Sequence, residues 1–364
     1  MITELRCNAN VLAMDLVKLC SDLVAIPSPS HSEEKISDFV FNLLQGFEGL
    51  AVTRVGNNVV AASHLGRGRK VILAGHLDTV PANGNEIPRI SEGIIRGLGS
   101  ADMKSGLAVM IGLAEKAGSF KSDLTFVFYA CEEVASKFSG LAEIASVDSS
   151  MLMADDAILL EPTNCRIEAG CQGTMRVRVE VSGRSAHTAR PWMGVNAIHR
   201  LGDLIKAVAS FEPRQPVIDG LVFRESLQIV EVAGGKSNNV VPDLASMVVN
   251  YRFAPDRTLS QAEAYLKDLF GEFILPGQGD SFELIEGVEG ALPNLKRLVI
   301  EDLAKASKLP PRAKLGWTDV AYFSSRGIPA TNFGPGDPLV AHTKDEFVNT
   351  DEIEAAFNIL AQVL

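Results

Sequence analysis

The sequence predicts an α/β body interrupted by a smaller α+β domain, and three observations carry that prediction. Short apolar runs alternate with helical patterns through the first part of the chain. After "CQGT" the texture changes to strictly alternating strands and amphipathic helices in the order β-α-β-β-α-β, that of a ferredoxin-like sandwich. From "LPNLKRLVIEDLAKA" onward the first texture returns. The boundaries that follow are 1–172 with 289–364 for a discontinuous body, and 173–288 for the insertion.

In chain order, "VLAMDLVKLCSDLVAI" spaces Val11, Leu12, Leu16, Leu19, Leu23 and Val24 as one helical stripe, which Pro27 and Pro29 end. "SHSEEKISDFVFNLL" predicts a second helix, with Ser30 and Glu33 as a capping box and Ile36, Phe39, Val40, Leu43 and Leu44 as its apolar face. "NVVAAS" and "KVILAG" read as strands, "GLAVMIGLAEKAG" as a helix, "LTFVFYAC" as a strand, "SGLAEIAS" as a helix and "DDAILLE" as a strand. In the insertion, "MRVRVEVSG", "SLQIVEVAGG", "ASMVVNYRF" and "SFELIEG" are strands; "NAIHRLGDLIKAVASF" and "LSQAEAYLKDLFGEF" are helices. "IPATNFG" is a late strand and the last segment an amphipathic helix.

Composition bounds the function. With 364 residues, 46% hydrophobic and 22% charged, the chain can bury a full core. A net charge of −11 argues against a nucleic-acid binder, which would show a basic face. The five cysteines, Cys7, Cys20, Cys131, Cys165 and Cys171, are odd in number and form no CxxC pair, so they read as reduced thiols. There is no signal-peptide pattern and no apolar run of the ~20 residues that cross a bilayer. The expectation is a cytoplasmic protein with neither nucleic acid nor membrane as partner.

The chemistry gathers at strand ends, where open α/β sheets place their sites. "KVILAGHLDTVPANG" ends a core strand with His76 and Asp78, two residues apart and so on one side. "GLGSADMKSG" sets Asp102 in a glycine-rich loop, "FVFYACEEV" ends in Glu132 and Glu133, and "AILLEPT" ends in Glu161. Far downstream "GPGDPLVAHTKDE" offers His342. Each has a structural reading by itself: a turn aspartate, helix-terminal glutamates, a strand-end charge, a loop histidine. Their recurrence at successive strand ends favours a metal centre. Two histidines with several carboxylates and no required thiolate suit one or two zinc ions on a hydrolase. Of the adjacent glutamates, one can coordinate metal while the other takes a proton from water.

With these residues assembled, the chain resembles the M20 family of zinc amidohydrolases and peptidases over nearly its whole length. The matching motifs are "GHLDTVP", "GLGSADMKSG", "CEEV", "LLEPT", "GRSAHTARPWMGVNAI", "GGKSNNVVPD", "NYRF" and "GPG…AHTKDE". The resemblance implies a zinc-exopeptidase-like three-layer α/β/α catalytic domain with an inserted ferredoxin-like dimerisation (lid) domain. It implies two Zn2+ ions per subunit, for which Co2+ can substitute. His76 and Glu161 would hold one ion, Glu133 and His342 the other, with Asp102 between them and a cis peptide after Asp102. Asp78 would orient His76, and Glu132 would act as general base and acid. The protein would be a homodimer through the insertion, whose His187 would reach the partner's site to stabilise the oxyanion. Asn238, Asn239, Arg252 and Thr318 would bind substrate.

"FVFYACEEVASKFSGL" and "SAHTARPWMGVNAIHRL" are most similar to the branch that hydrolyses the succinyl amide of N-succinyl-L,L-2,6-diaminopimelate, on the bacterial route to lysine and peptidoglycan precursors. That small anionic N-acyl amino acid has three carboxylates, which gives Arg252, and Arg184 or Arg176, a role. The alternative is another N-acyl amino acid hydrolase of the family, an acetylornithine deacetylase, aminoacylase or carboxypeptidase, since all share the metal residues. Three departures bear on the acyl pocket. Cys131 stands where many relatives have aspartate, "CQGT" lacks an arginine pair, and "GWTDVAYF" replaces a Gly/Thr-rich turn. His31, His64 and His199 match no motif and are expected to be structural or solvated.

Overall fold

The structure, a computed structural model, describes residues 14–364. It divides into two compact units, residues 14–166 with 333–364 and residues 167–332.

The first unit opens with helix Leu16–Val24, capped by the Asp15 carboxylate, which accepts the Lys18 N–H at 2.9 Å. Leu19, Cys20, Leu23 and Val24 are its buried stripe. Val11 and Leu12, which the sequence pattern adds to that stripe, and Cys7 lie outside the described residues. The second helix is Glu34–Gln45, but the predicted capping box does not form. Glu33 is the N-cap and makes no capping bond, while Ser30 donates its hydroxyl to Asp78 Oδ2 at 2.8 Å. The cause is backbone pairing: Pro29 bridges Thr79 and the Ser30 N–H donates to the Thr79 carbonyl, which draws this segment along the Asp78 loop.

Five strands of this unit pair in the order Leu50–Val55, Asn58–Ser63, Asp123–Tyr129, Lys70–His76, Asp156–Leu159. The last three run parallel, with Lys70–His76 in the middle and buried from Val71 onward. A central parallel strand is covered on both faces and reads as a continuous apolar run, which is why "VILAG" does not alternate. Helix Ser105–Glu115 packs on it and is buried at every residue from Ser105 to Ala114, because helices Leu16–Val24 and Thr350–Val363 cover its outer side. Gly106 lets this helix reach the sheet: a Cβ there would lie 2.2 Å from the Leu160 carbonyl oxygen, one residue before Glu161.

The second unit contains a four-stranded sheet in the order Ser226–Gly234, Leu244–Phe253, Gly173–Ser182, Ser281–Val288, all neighbours antiparallel. Met175, Val177, Val179 and Val181 point to one face and meet Leu201, Leu204 and Val208 of helix Ala197–Ala209, with Leu266 and Phe270 of helix Leu259–Phe270. The two-residue period of the strand and the amphipathic helices make one core, the ferredoxin-like pattern read from the sequence. No helix among the described residues is long and apolar enough to cross a membrane.

Candidate metal centre and substrate residues

His76 is the last residue of the central strand and is 1% exposed. Its Nδ1–H donates to the Asp78 carbonyl at 2.9 Å, so the Nε2 lone pair faces Asp102 Oδ1, 3.1 Å away. His342 Nε2 lies 2.8 Å from Glu133 Oε1 and 3.3 Å from Asp102 Oδ2. Two ligand groupings result, each with atoms within 4.8 Å of one another: His76, Asp102 and Glu161, and Asp102, Glu133 and His342. A third grouping joins His76, Glu132 and Glu133. Asp102 is common to the first two.

An imidazole lone pair cannot rest against a carboxylate oxygen at these distances unless a cation stands between them. Protons can play that part, and the carboxylates around both rings favour them. Burial pushes the His76 ring down, yet the Asp102 hydrogen bond and the charges of Asp102, Glu161 and Asp78 raise it well above its ordinary value. Asp102 and Glu133 hold His342 up to about 10. Burial raises Asp102, but the His342 and His76 bonds draw it well below the usual carboxylate range. A divalent cation satisfies the same lone pairs with more charge, and the N/O donor set suits a borderline metal.

Asp78 does more than face His76, whose Nδ1 lies 3.7 Å from Asp78 Oδ1. Its Oδ1 accepts the Glu132 N–H at 3.0 Å and its Oδ2 the Glu133 N–H at 3.1 Å. The Asp78 carbonyl thus holds the ring while its buried carboxylate clamps the turn carrying both glutamates, a turn that Cys131 enters with φ +61°. Cys131 itself is packed, with its sulfur 3.3 Å from Glu33 Oε1 and 3.5 Å from His31 Nδ1; burial pushes its thiol up to about 12. His31 is therefore a neighbour of this turn. The Asp102–Met103 peptide is cis. Glu161 follows the strand Asp156–Leu159 and is 5% exposed, and the next loop is pinned by Thr163, whose hydroxyl donates to the Gly334 carbonyl at 3.0 Å.

The remaining predicted residues belong to the second unit. His187 is exposed, and its Nδ1 accepts the Ala189 N–H at 3.0 Å. The neutral ring then carries its proton on Nε2 and presents a donor there. Asn238 and Asn239 are exposed on the neighbouring loop, where the Asn239 carbonyl accepts the Thr188 N–H at 3.0 Å and its side-chain oxygen accepts the Ser237 hydroxyl. Arg252 stands opposite Thr174 and Ser226 in the sheet. Burial, then the nearby Arg176 guanidinium, lower its pKa, and it has no ion-pair partner among the described residues. Arg176 pairs with Glu286. Thr318 is 4% exposed and donates its hydroxyl to Asn332 Oδ1 at 3.0 Å, so that hydroxyl is committed inside the unit.

Two groups of the site carry no signal of their role in the sequence. Ser30 reads in the sequence as a helix cap, yet it bonds Asp78. Glu346 lies in the quoted motif "AHTKDE" without a role, although its buried carboxylate accepts three backbone N–H groups of the Asp102 loop. Burial raises that carboxyl to about 6 against those bonds.

The family model described as Peptidase family M20/M25/M40 matches residues 72–364. A Mycobacterium tuberculosis homologue is 45% identical over 351 residues, covering 96% of this chain and 98% of its own. The chain belongs to this family. A Corynebacterium glutamicum relative, named succinyl-diaminopimelate desuccinylase, is 43% identical over 371 residues and all of both chains. Among solved structures, a Staphylococcus aureus tripeptidase superposes with a TM-score of 0.77 at 22% identity over 96% of each chain. A Bacillus subtilis peptidase of the M20 family, described as dinuclear and metal-binding, superposes with a TM-score of 0.72 at 16% identity over 96% of each chain. Those two likenesses speak for the shared M20 fold, while the sequence matches make this chain a metal-dependent amide hydrolase.

Proposed function

We propose that this chain is a dinuclear zinc hydrolase that cleaves the succinyl amide of N-succinyl-L,L-2,6-diaminopimelate, giving succinate and L,L-2,6-diaminopimelate. The observation that carries the reading is a pair of ligand groupings sharing Asp102 beside the clamped Glu132–Glu133 turn. Full-length likeness to a relative of that name supports the choice of substrate.

His76 and Glu161 would hold one ion, Glu133 and His342 the other, and Asp102 both. When bound, such ions supply Lewis acidity toward water and the amide carbonyl. Glu132 takes the proton of the attacking water, whose oxygen bonds to the succinyl carbon, and delivers it to the departing amine nitrogen as the C–N bond breaks. Asp78 fixes the Glu132 backbone, so the base is aimed before substrate arrives. His187 donates from Nε2 to the oxyanion, in the tautomer that the Ala189 N–H selects. Residues 173–288 would be the dimerisation and lid domain, with His187 serving the partner subunit. Arg252, with no ion-pair partner among the described residues, would take a substrate carboxylate and Asn238 and Asn239 its polar groups. Thr318 would contribute only by exchanging its bond to Asn332. The enzyme would work in the cytoplasm, in keeping with the four free cysteines described.

The test is kcat/KM of the metal-loaded enzyme on N-succinyl-L,L-diaminopimelate against N-acetylornithine. The succinyl substrate is expected to be cleaved more efficiently. A preference for the acetyl substrate would overturn the assignment.

A further inference from the structure

Glu346 sits where two loops of the metal centre meet. It is 2% exposed; its Oε2 accepts the Gly99 N–H at 3.0 Å, and its Oε1 accepts the Ala101 N–H at 2.9 Å and the Asp102 N–H at 3.0 Å. Its own carbonyl accepts the Gly97 N–H at 3.2 Å. It follows His342 by one short turn, in which the Glu346 N–H donates to the Thr343 carbonyl. His342 in turn reaches back to Asp102 Oδ2 at 3.3 Å. One side chain therefore fastens the segment carrying Asp102 to the segment carrying His342, two groups that meet from opposite ends of the chain. Charge-assisted bonds from backbone donors to both oxygens give that fastening a defined length and direction.

We infer that Glu346 is a positioning residue that sets the separation of Asp102 from His342 and thereby holds the second cation site, that of Asp102, Glu133 and His342. The inference rests on the two-ion reading above. Glu346 touches neither ion nor substrate; it acts through the backbone of one ligand and the loop of another, as outer partners of metal ligands do. An amide cannot replace it, because one of its two ends would turn an N–H group toward a backbone N–H.

The experiment titrates metal-free wild type, Glu346→Gln and Glu346→Asp with Co2+, reading stoichiometry and affinity by calorimetry and by the cobalt absorption band. Thermal melting of the metal-free proteins runs alongside. The wild type is expected to take two equivalents. Glu346→Gln should melt cooperatively, bind its first equivalent as the wild type does and bind the second roughly 10–100-fold more weakly, the usual cost of losing such a partner. Glu346→Asp, which keeps the charge, should recover part of that loss. A second equivalent bound by Glu346→Gln at wild-type affinity overturns the inference. So does loss of the cooperative melt in both variants with both equivalents weakened together, since that marks a residue needed only for folding. A wild type that takes no second equivalent overturns the two-ion reading and this inference with it.

Discussion

Two sets of carboxylates, one in each unit, are held in opposite ways. In the second unit Asp280 and Glu225 are matched to guanidinium groups. Asp280 accepts Arg200 Nη1 at 2.9 Å and Nη2 at 2.6 Å, together with the Ser182 and Leu275 N–H groups at 2.8 Å each. Glu225 accepts Arg214 Nη2 at 2.7 Å, Arg257 Nη1 at 3.3 Å and the Tyr251 hydroxyl at 2.8 Å. In the first unit Asp78, Asp102, Glu133 and Glu346 crowd together and take backbone N–H groups, a serine hydroxyl and imidazoles. Matched charges close a network, whereas a surplus of one sign leaves room for an ion of the other. The first arrangement serves folding and the second prepares a site.

The largest effect that would sharpen this contrast is on turnover. Glu132→Gln should retain bound metal while kcat falls by roughly 10²–10⁴-fold or more, measured at saturating substrate. Unchanged turnover would remove Glu132 from the chemistry. His187→Ala is expected to lower kcat by about 10²–10³-fold, the usual cost of an oxyanion donor, with the oligomeric state in sedimentation unchanged. A change of assembly instead would make that histidine structural.

Next comes stability in the second unit. Asp280→Ala removes the carboxylate partner of Arg200 and the acceptor of two N–H groups, and should cost about 3–5 kcal/mol in urea unfolding, leaving the first unit's metal affinity intact. The same pair predicts a pH dependence. Burial raises Asp280, but the Arg200 bond and the Ser182 and Leu275 N–H groups bring it below 3.8 in the folded protein. The unfolded chain therefore binds this proton first on acidification. The stabilisation is present above the unfolded value and is lost as pH falls through the lowered folded one. Melting temperature followed downward from pH 5 in wild type and Asp280→Asn should show the wild type losing more. The smallest effect belongs to Ser30→Ala, which removes one bond to Asp78 and should cost about 0.5–1.5 kcal/mol with a several-fold loss of kcat.

Much of the fold was legible because its strands and helices obey a period. "VILAG" is apolar throughout and buried on both faces, and "MRVRVEVSG" alternates and has one face in the core. The strand Leu50–Val55 escaped notice: it is an edge strand with alternate residues exposed, and "LAVTRV" has no strong apolar side. The capping box at Ser30 failed because a four-residue pattern cannot know that a loop far along the chain offers a stronger partner. The same limit hid Glu346 and the hold of Asp78 on Glu132 and Glu133. Strand ends announce which groups can meet; the bonds that aim them join residues with no periodic relation.

The hydrogen at Gly106 has a consequence for the chemistry of its neighbours. Because the helix backbone at Gly106 comes close to the Leu160 carbonyl, the smallest possible side chain acts as a spacer between the segment bearing Asp102 and the segment bearing Glu161. Adding one methyl group would wedge these two apart, so the gauge of the proposed cation site rests on an atom that binds nothing.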